Sequence, residues 1–109
     1  MTTVLFHMEG ARIVSVDVRG HSGYAPEGAD LICNTVVSAL QLAECTINDV
    51  LGLAAAVKVE PDEPHVSLHL PGGLSDEDEH TCQSLLTGMM VYLTALRQDY
   101  PDYLNVMEV

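Results

Sequence analysis

Two residues in one short stretch have the chemistry of a nucleophile and its base: Cys33 and, twelve residues earlier, His21. They lie in Gly20-His21-Ser22-Gly23-Tyr24-Ala25-Pro26-Glu27-Gly28-Ala29-Asp30-Leu31-Ile32-Cys33. A β-patterned run ends just before this stretch, and an apolar-periodic helix starts inside it. Asp30 reads as the N-cap of that helix, because a short carboxylate accepts amide hydrogens that a first turn leaves without partners. Leu31, Ile32 and Cys33 then take the first three helical positions. A sulfur at a helix start meets unpaired amides and the positive end of the macrodipole, and both favour thiolate. The Asp30 carboxylate opposes that effect. A glycine-rich loop can fold His21 back over the sulfur. A thiolate beside a mobile imidazole is what a cysteine nucleophile requires, and the amides of the helix start can hold an oxyanion.

The same residues have structural readings. Cys33 can be a small buried hydrophobe, His21 a surface histidine and Asp30 a cap alone. Gly20, Gly23 and Gly28 read as turn chemistry and equally as hinges of a lid that closes on substrate. Tyr24 can pack on substrate or lie on the surface. Ser38 falls on the exposed side of the helix pattern, where a local backbone bond fits better than catalysis.

The elements around this stretch must position it. Thr2 to Met8 alternates, with Val4, Phe6 and Met8 on one side and Thr3, Leu5 and His7 on the other. Glu9-Gly10 is a hairpin turn. Arg12 to Arg19 is the clearest strand, with Val14, Val16 and Val18 on one face. It pairs antiparallel with the first. Leu31 to Leu51 is a helix, since Ile32, Val36, Leu40, Ala43, Ile47, Val50 and Leu51 repeat at the helical period. Gly52 stands at its C-cap. Ala55 to Glu60 and His65 to Leu70 form a second strand pair around Pro61-Asp62-Glu63-Pro64. Ser75 caps a second helix whose acidic first turn suits the dipole. Cys82, Leu85, Leu86, Met89, Leu93 and Leu96 make its buried stripe, and Pro101 ends it. Tyr103 to Val109 is a last strand. The order ββαββαβ implies an α+β two-layer sandwich, helices on one face of a mainly antiparallel sheet. Residues 1–109 read as a single domain.

Composition excludes several classes. The net charge is −12, from four basic and sixteen acidic residues. Binding a phosphate backbone needs Lys and Arg to displace counterions, so no direct nucleic-acid binding is expected. A basic partner is favoured by the field. No apolar run is long enough to span a membrane. The start, Met1-Thr2-Thr3-Val4-Leu5-Phe6, has no basic region and does not look like a signal peptide, so a cytoplasmic protein with reduced thiols is expected. Cys33 and Cys45 on one helix would lie about 18 Å apart, which excludes a bridge. Cys45 and Cys82 fall in helix stripes and read as core. His65, His69, His80 and Cys82 match no standard zinc spacing. No metal and no cofactor is expected.

Gly20-His21-Ser22-Gly23-Tyr24-Ala25, then Gly28-x-Asp30-x-x-Cys33, then Val37-Ser38-Ala39-Leu40 resembles the ribosomal-processing cysteine proteases of bacteria. The resemblance implies His21 as general base, Cys33 as nucleophile and the glycine loop as a mobile cover. It places Asp30 and Ser38 on motif positions. It also implies a homodimer that removes the N-terminal extension of a large-subunit ribosomal protein, cleaving after an aromatic residue. Ser22 stands where the family usually has Ala, and Asn34-Thr35 where small Ala is usual. The competing class is a non-enzymatic acidic dimeric module that binds a basic ribosomal protein without cutting it. A thioester hydrolase on the same dyad is a third reading.

Overall fold

Val4 and Phe6 on one strand meet Val16 and Val18 on the next, and this aliphatic face begins the core. The computed structural model describes residues 1–20 and 27–109, with residues 27–30 described in backbone only. Strands β1 (Thr2–Glu9) and β2 (Arg12–Arg19) form an antiparallel hairpin. Helix α1 (Glu27–Glu44) follows and runs on as a π-helical segment, Cys45–Val50. Strands β3 (Ala56–Val59) and β4 (His65–His69) form a second antiparallel pair, joined to β2 through β4. Helix α2 (Asp76–Asp99) leads to β5 (Leu104–Glu108). The strand order is β3-β4-β2-β1-β5. β5 runs parallel to β1, so the sheet is mixed, antiparallel in every pair but one. The expected ββαββαβ order holds.

The cap expectations at Ser75 and Gly52 hold for specific reasons. The Ser75 hydroxyl accepts from the Asp78 amide at 3.1 Å, and four acidic residues fill that first turn. Gly52 has φ +69°, the left-handed geometry that ends a helix and favours glycine. On α2, Cys82, Leu86, Met89 and Leu93 are buried, with Leu85 and Leu96 half-buried beside them.

Three expectations are corrected. Alternation put Val14 in the core, but the ladder slips between His7 and Met8. Ile13 then opposes Met8 and is fully buried, while Val14 is only half-buried. The Gln83 side chain stabilises the slip: its Oε1 accepts from the Ile13 amide at 2.8 Å, and its Nε2 donates to the Ile13 carbonyl at 2.9 Å. Cys45 is exposed, not core. It lies two residues beyond Ala43, about 200° around the helix from the buried stripe. Val50 is exposed while Leu51 packs on the core. Wider i→i+5 turns shift the phase there, with the Leu51 amide on the Thr46 carbonyl. Asn48 closes the segment by clasping both backbone groups of Ala55 at 2.8 and 3.0 Å.

Two measurements test this packing. Gln83→Leu should lower the unfolding free energy by about 2 kcal/mol, because two backbone groups at the slip lose their partner. A urea-denaturation loss below about 0.5 kcal/mol would contradict the clasp. Burial pushes the Cys82 thiol up, with Glu79 and Asp78 adding to the effect and Arg12 opposing it. The folded protein thus holds that proton more tightly than the unfolded chain. The resulting stabilisation is complete below about pH 8.5 and is lost as pH rises through the raised folded value. The urea midpoint should therefore fall more steeply above about pH 8.5 in wild type than in Cys82→Ala; equal slopes would refute it.

Candidate active site

Ile32, Val36, Leu40, Ala43 and Ile47 form the buried face of α1, and Cys33 stands at the edge of that face, 4% exposed. Its position borders a cavity of about 190 Å³ at one end of the sheet. The walls come from four elements and a turn. β2 gives Val18 and Arg19, α1 gives Asn34 and Val37, and β3 gives Val59. The β3–β4 turn gives Glu63 and Pro64, and β4 gives His65 and Val66. Whole-ligand pockets run to roughly 300–1,000 Å³, so this one suits a single side chain. Its lining is mainly aliphatic.

The chain leaves β2 toward His21 at this same end. The Gly20 amide donates to the Pro64 carbonyl at 3.1 Å, on the cavity wall. Gly20 has φ +92°, and a Cβ there would collide with the Met1 carbonyl oxygen. Only glycine fits this approach. His21, Ser22, Gly23 and Tyr24 lie outside the described residues, as does the Asp30 side chain. The contact between His21 and Cys33, and the lid role of the loop, lie outside them too.

The backbone corrects the helix start. α1 begins at Glu27, so Asp30 is its fourth residue rather than its cap, and Cys33 is its seventh. Both Asp and Glu suit a first turn, so Asp30 in the sequence fits that place as well as a cap. The amides without intrahelical partners belong to residues 27–30, a turn before the sulfur. The macrodipole falls off over the same turn. Gly28 is the second helical residue. Ser38 is exposed, five residues and about 140° around α1 from Cys33. The structure does not bring it to the cavity.

The sequence reading missed a polar cluster on strands that also border the cavity. Arg19 and His65 oppose each other across β2 and β4, and both converge on Asp17, whose side chain is buried. Asp17 Oδ2 accepts from Arg19 Nη2 at 3.3 Å and lies 3.1 Å from His7 Nε2. His65 Nε2 is 3.7 Å from the same oxygen, shielded from solvent. His69 bonds Ser67 at 3.2 Å. The histidines of β4 thus serve the polar face of the sheet. Regular alternation on β2 and β4 hinted at that face, but nothing in the sequence paired the two strands.

The chain is similar to known proteins in sequence and in fold. The profile of the family described as cysteine protease Prp matches residues 1–105. The ribosomal processing cysteine protease Prp of Bacillus subtilis is 29% identical over 94 residues, covering 86% of this chain and 84% of the relative. The Staphylococcus aureus ribosomal processing protease Prp, solved with a substrate peptide, superposes with a TM-score of 0.84 at 16% identity, over the full length of both chains. SMU.848 from Streptococcus mutans superposes with a TM-score of 0.82 at 17% identity, over 100% of this chain and 96% of that one. At such identities the structural likeness is one of fold. The profile, spanning nearly the whole sequence, makes the assignment: this chain belongs to the cysteine protease Prp family.

Proposed function

We propose that this cysteine protease removes the N-terminal extension of a large-subunit ribosomal protein, with Cys33 as nucleophile and His21 as general base. The observation that carries the reading is the cavity at Cys33, beside the point where the chain enters the His21 segment. Its size and aliphatic walls suit one apolar side chain of a peptide, an aromatic one before the cut. The relative from Bacillus subtilis carries the ribosomal processing name. A net charge of −12 draws in a basic ribosomal protein.

The chemistry needs no cofactor. His21 takes the Cys33 proton, and the thiolate attacks the carbonyl carbon of the scissile bond. The tetrahedral intermediate collapses, the C–N bond breaks, and His21 returns the proton to the leaving amine. Water, deprotonated by His21, then cleaves the thioester and restores the thiol. Ser22, Gly23, Tyr24 and Gly28 belong to the segment that would cover the bound peptide. Asp30, in the first turn of α1, has a supporting role, whereas Ser38, exposed and away from the cavity, takes no direct part. The 109 residues act as one domain, in the cytoplasm, as a homodimer. Leu42, Leu85, Met89 and Tyr92 around one shallow, mainly apolar cavity between α1 and α2 support such pairing.

Single-turnover cleavage of the purified precursor tests the assignment. Cys33→Ser should fold and bind precursor but cut it at least 10³-fold more slowly, on the order expected when a hydroxyl replaces a thiol nucleophile. His21→Ala should lose on the order of 10²–10⁴-fold. Cleavage by Cys33→Ser at the wild-type rate would leave the non-enzymatic binding module as the better account.

A further inference from the structure

The sheet ends at β3, and the free edge of β3 borders the cavity that holds Cys33. Ala56 opposes His69, Val57 opposes Leu68, Lys58 opposes Ser67 and Val59 opposes Val66. One residue further, the Glu60 amide donates to the His65 carbonyl at 3.0 Å. Opposed pairs in an antiparallel ladder alternate between bonded and non-bonded. Glu60 with His65 is bonded, so Lys58 with Ser67 and Ala56 with His69 are bonded too. Val57 and Val59 therefore turn their amides and carbonyls to the outer edge. Among the described residues no strand pairs with that edge. The Val57 side chain packs on the core, whereas Val59, on the cavity wall, is 69% exposed.

We propose that the outer edge of β3 binds the substrate main chain as an added strand, through the backbone groups of Val57 and Val59. This rests on the reading of Cys33 as the nucleophile. Val59 belongs both to the free edge and to the cavity, so a peptide paired with β3 is continuous with the site. An extended peptide gains main-chain bonds from such an edge whatever its side chains. Adjacent strands lie about 4.8 Å apart and a strand rises about 3.3 Å per residue. The cavity spans β2, β4 and β3. The added strand thus lies about three strand spacings from β2. The paired substrate residues fall about three to six positions from the scissile bond.

Charge favours this occupant over a second copy of the chain. The turn after β3 carries Glu60, Asp62 and Glu63. A second copy paired on this edge would add further acidic residues to one already flanked by Glu60, Asp62 and Glu63. A basic peptide meets attraction at the same place. Lys58, the four-residue length and Pro61 are the devices that discourage permanent edge pairing and still leave room for a short peptide. The opposite edge, β5, lies across the sheet and lines no part of the Cys33 cavity.

The test uses wild-type protein and synthetic peptides spanning the precursor junction, each with one backbone amide N-methylated. Two positions, two residues apart and three to six from the cut, should raise KM about five- to tenfold with kcat within about twofold, the loss expected for one or two net hydrogen bonds. The position between them should have no effect. Val57→Pro removes an outward amide, which edge strands tolerate. It should raise KM similarly, and not additively with the matching N-methyl peptide. Equal KM across all N-methylated peptides would overturn the proposal. So would a Val57→Pro variant that changes oligomeric size with KM intact, since a second copy would then own the edge. If the unmethylated peptide is bound but not cut, the nucleophile assignment falls first, and this inference with it.

Discussion

Ile32, Val36, Leu40, Ala43 and Ile47 hold α1 against the sheet, and Cys33 rides at the edge of that stripe. Each of the larger side chains is worth about 1.5–3 kcal/mol of apolar burial. Rolling α1 by one residue would expose several of them at once. The place of Cys33 is therefore fixed by the packing of its helix. A nucleophile fixed on a packed helix is held more precisely than one on a loop. The base expected from the sequence, His21, lies on the segment between β2 and α1, outside the described residues.

The sheet contributes differently on its two faces. One face is aliphatic and meets both helices. The other gathers Asp17, Arg19, His7 and His65 on adjacent strands. Burying a carboxylate is costly unless it is paired and hydrogen-bonded, and Asp17 has a guanidinium and two imidazoles around one oxygen. Arg19 and His65 also line the Cys33 cavity. The polar face thereby braces the wall of the site.

Much of the fold was legible because local rules act alone there. Strand alternation on β1, the Ser75 cap and the Gly52 stop needed no distant partner. The errors share the opposite cause. Ile13 replaces Val14 in the core because Gln83, seventy residues away, bonds its backbone. The parallel placement of β5 beside β1 is a choice of topology that its own residues do not encode. Cys33 is singled out by its setting after a glycine-rich stretch, and the structure moves it from the opening turn expected for it to the seventh residue of α1. The cavity walls were illegible, since Val18, Val59, Glu63 and Val66 meet only when three strands and a turn converge. Gly20 was noted for its type, and its necessity came from the Met1 carbonyl at the far end of the hairpin.

The central claim is covalent: the sulfur of Cys33 carries the N-terminal part of the substrate during turnover. Acid quenching of wild-type protein within the first turnover, followed by peptide mass mapping, measures this directly. The account predicts a thioester on the peptide containing Cys33, with a mass gain equal to the N-terminal product less one water, decaying as product appears. Continued cleavage with no adduct at Cys33, or an adduct on exposed Cys45 instead, would contradict it.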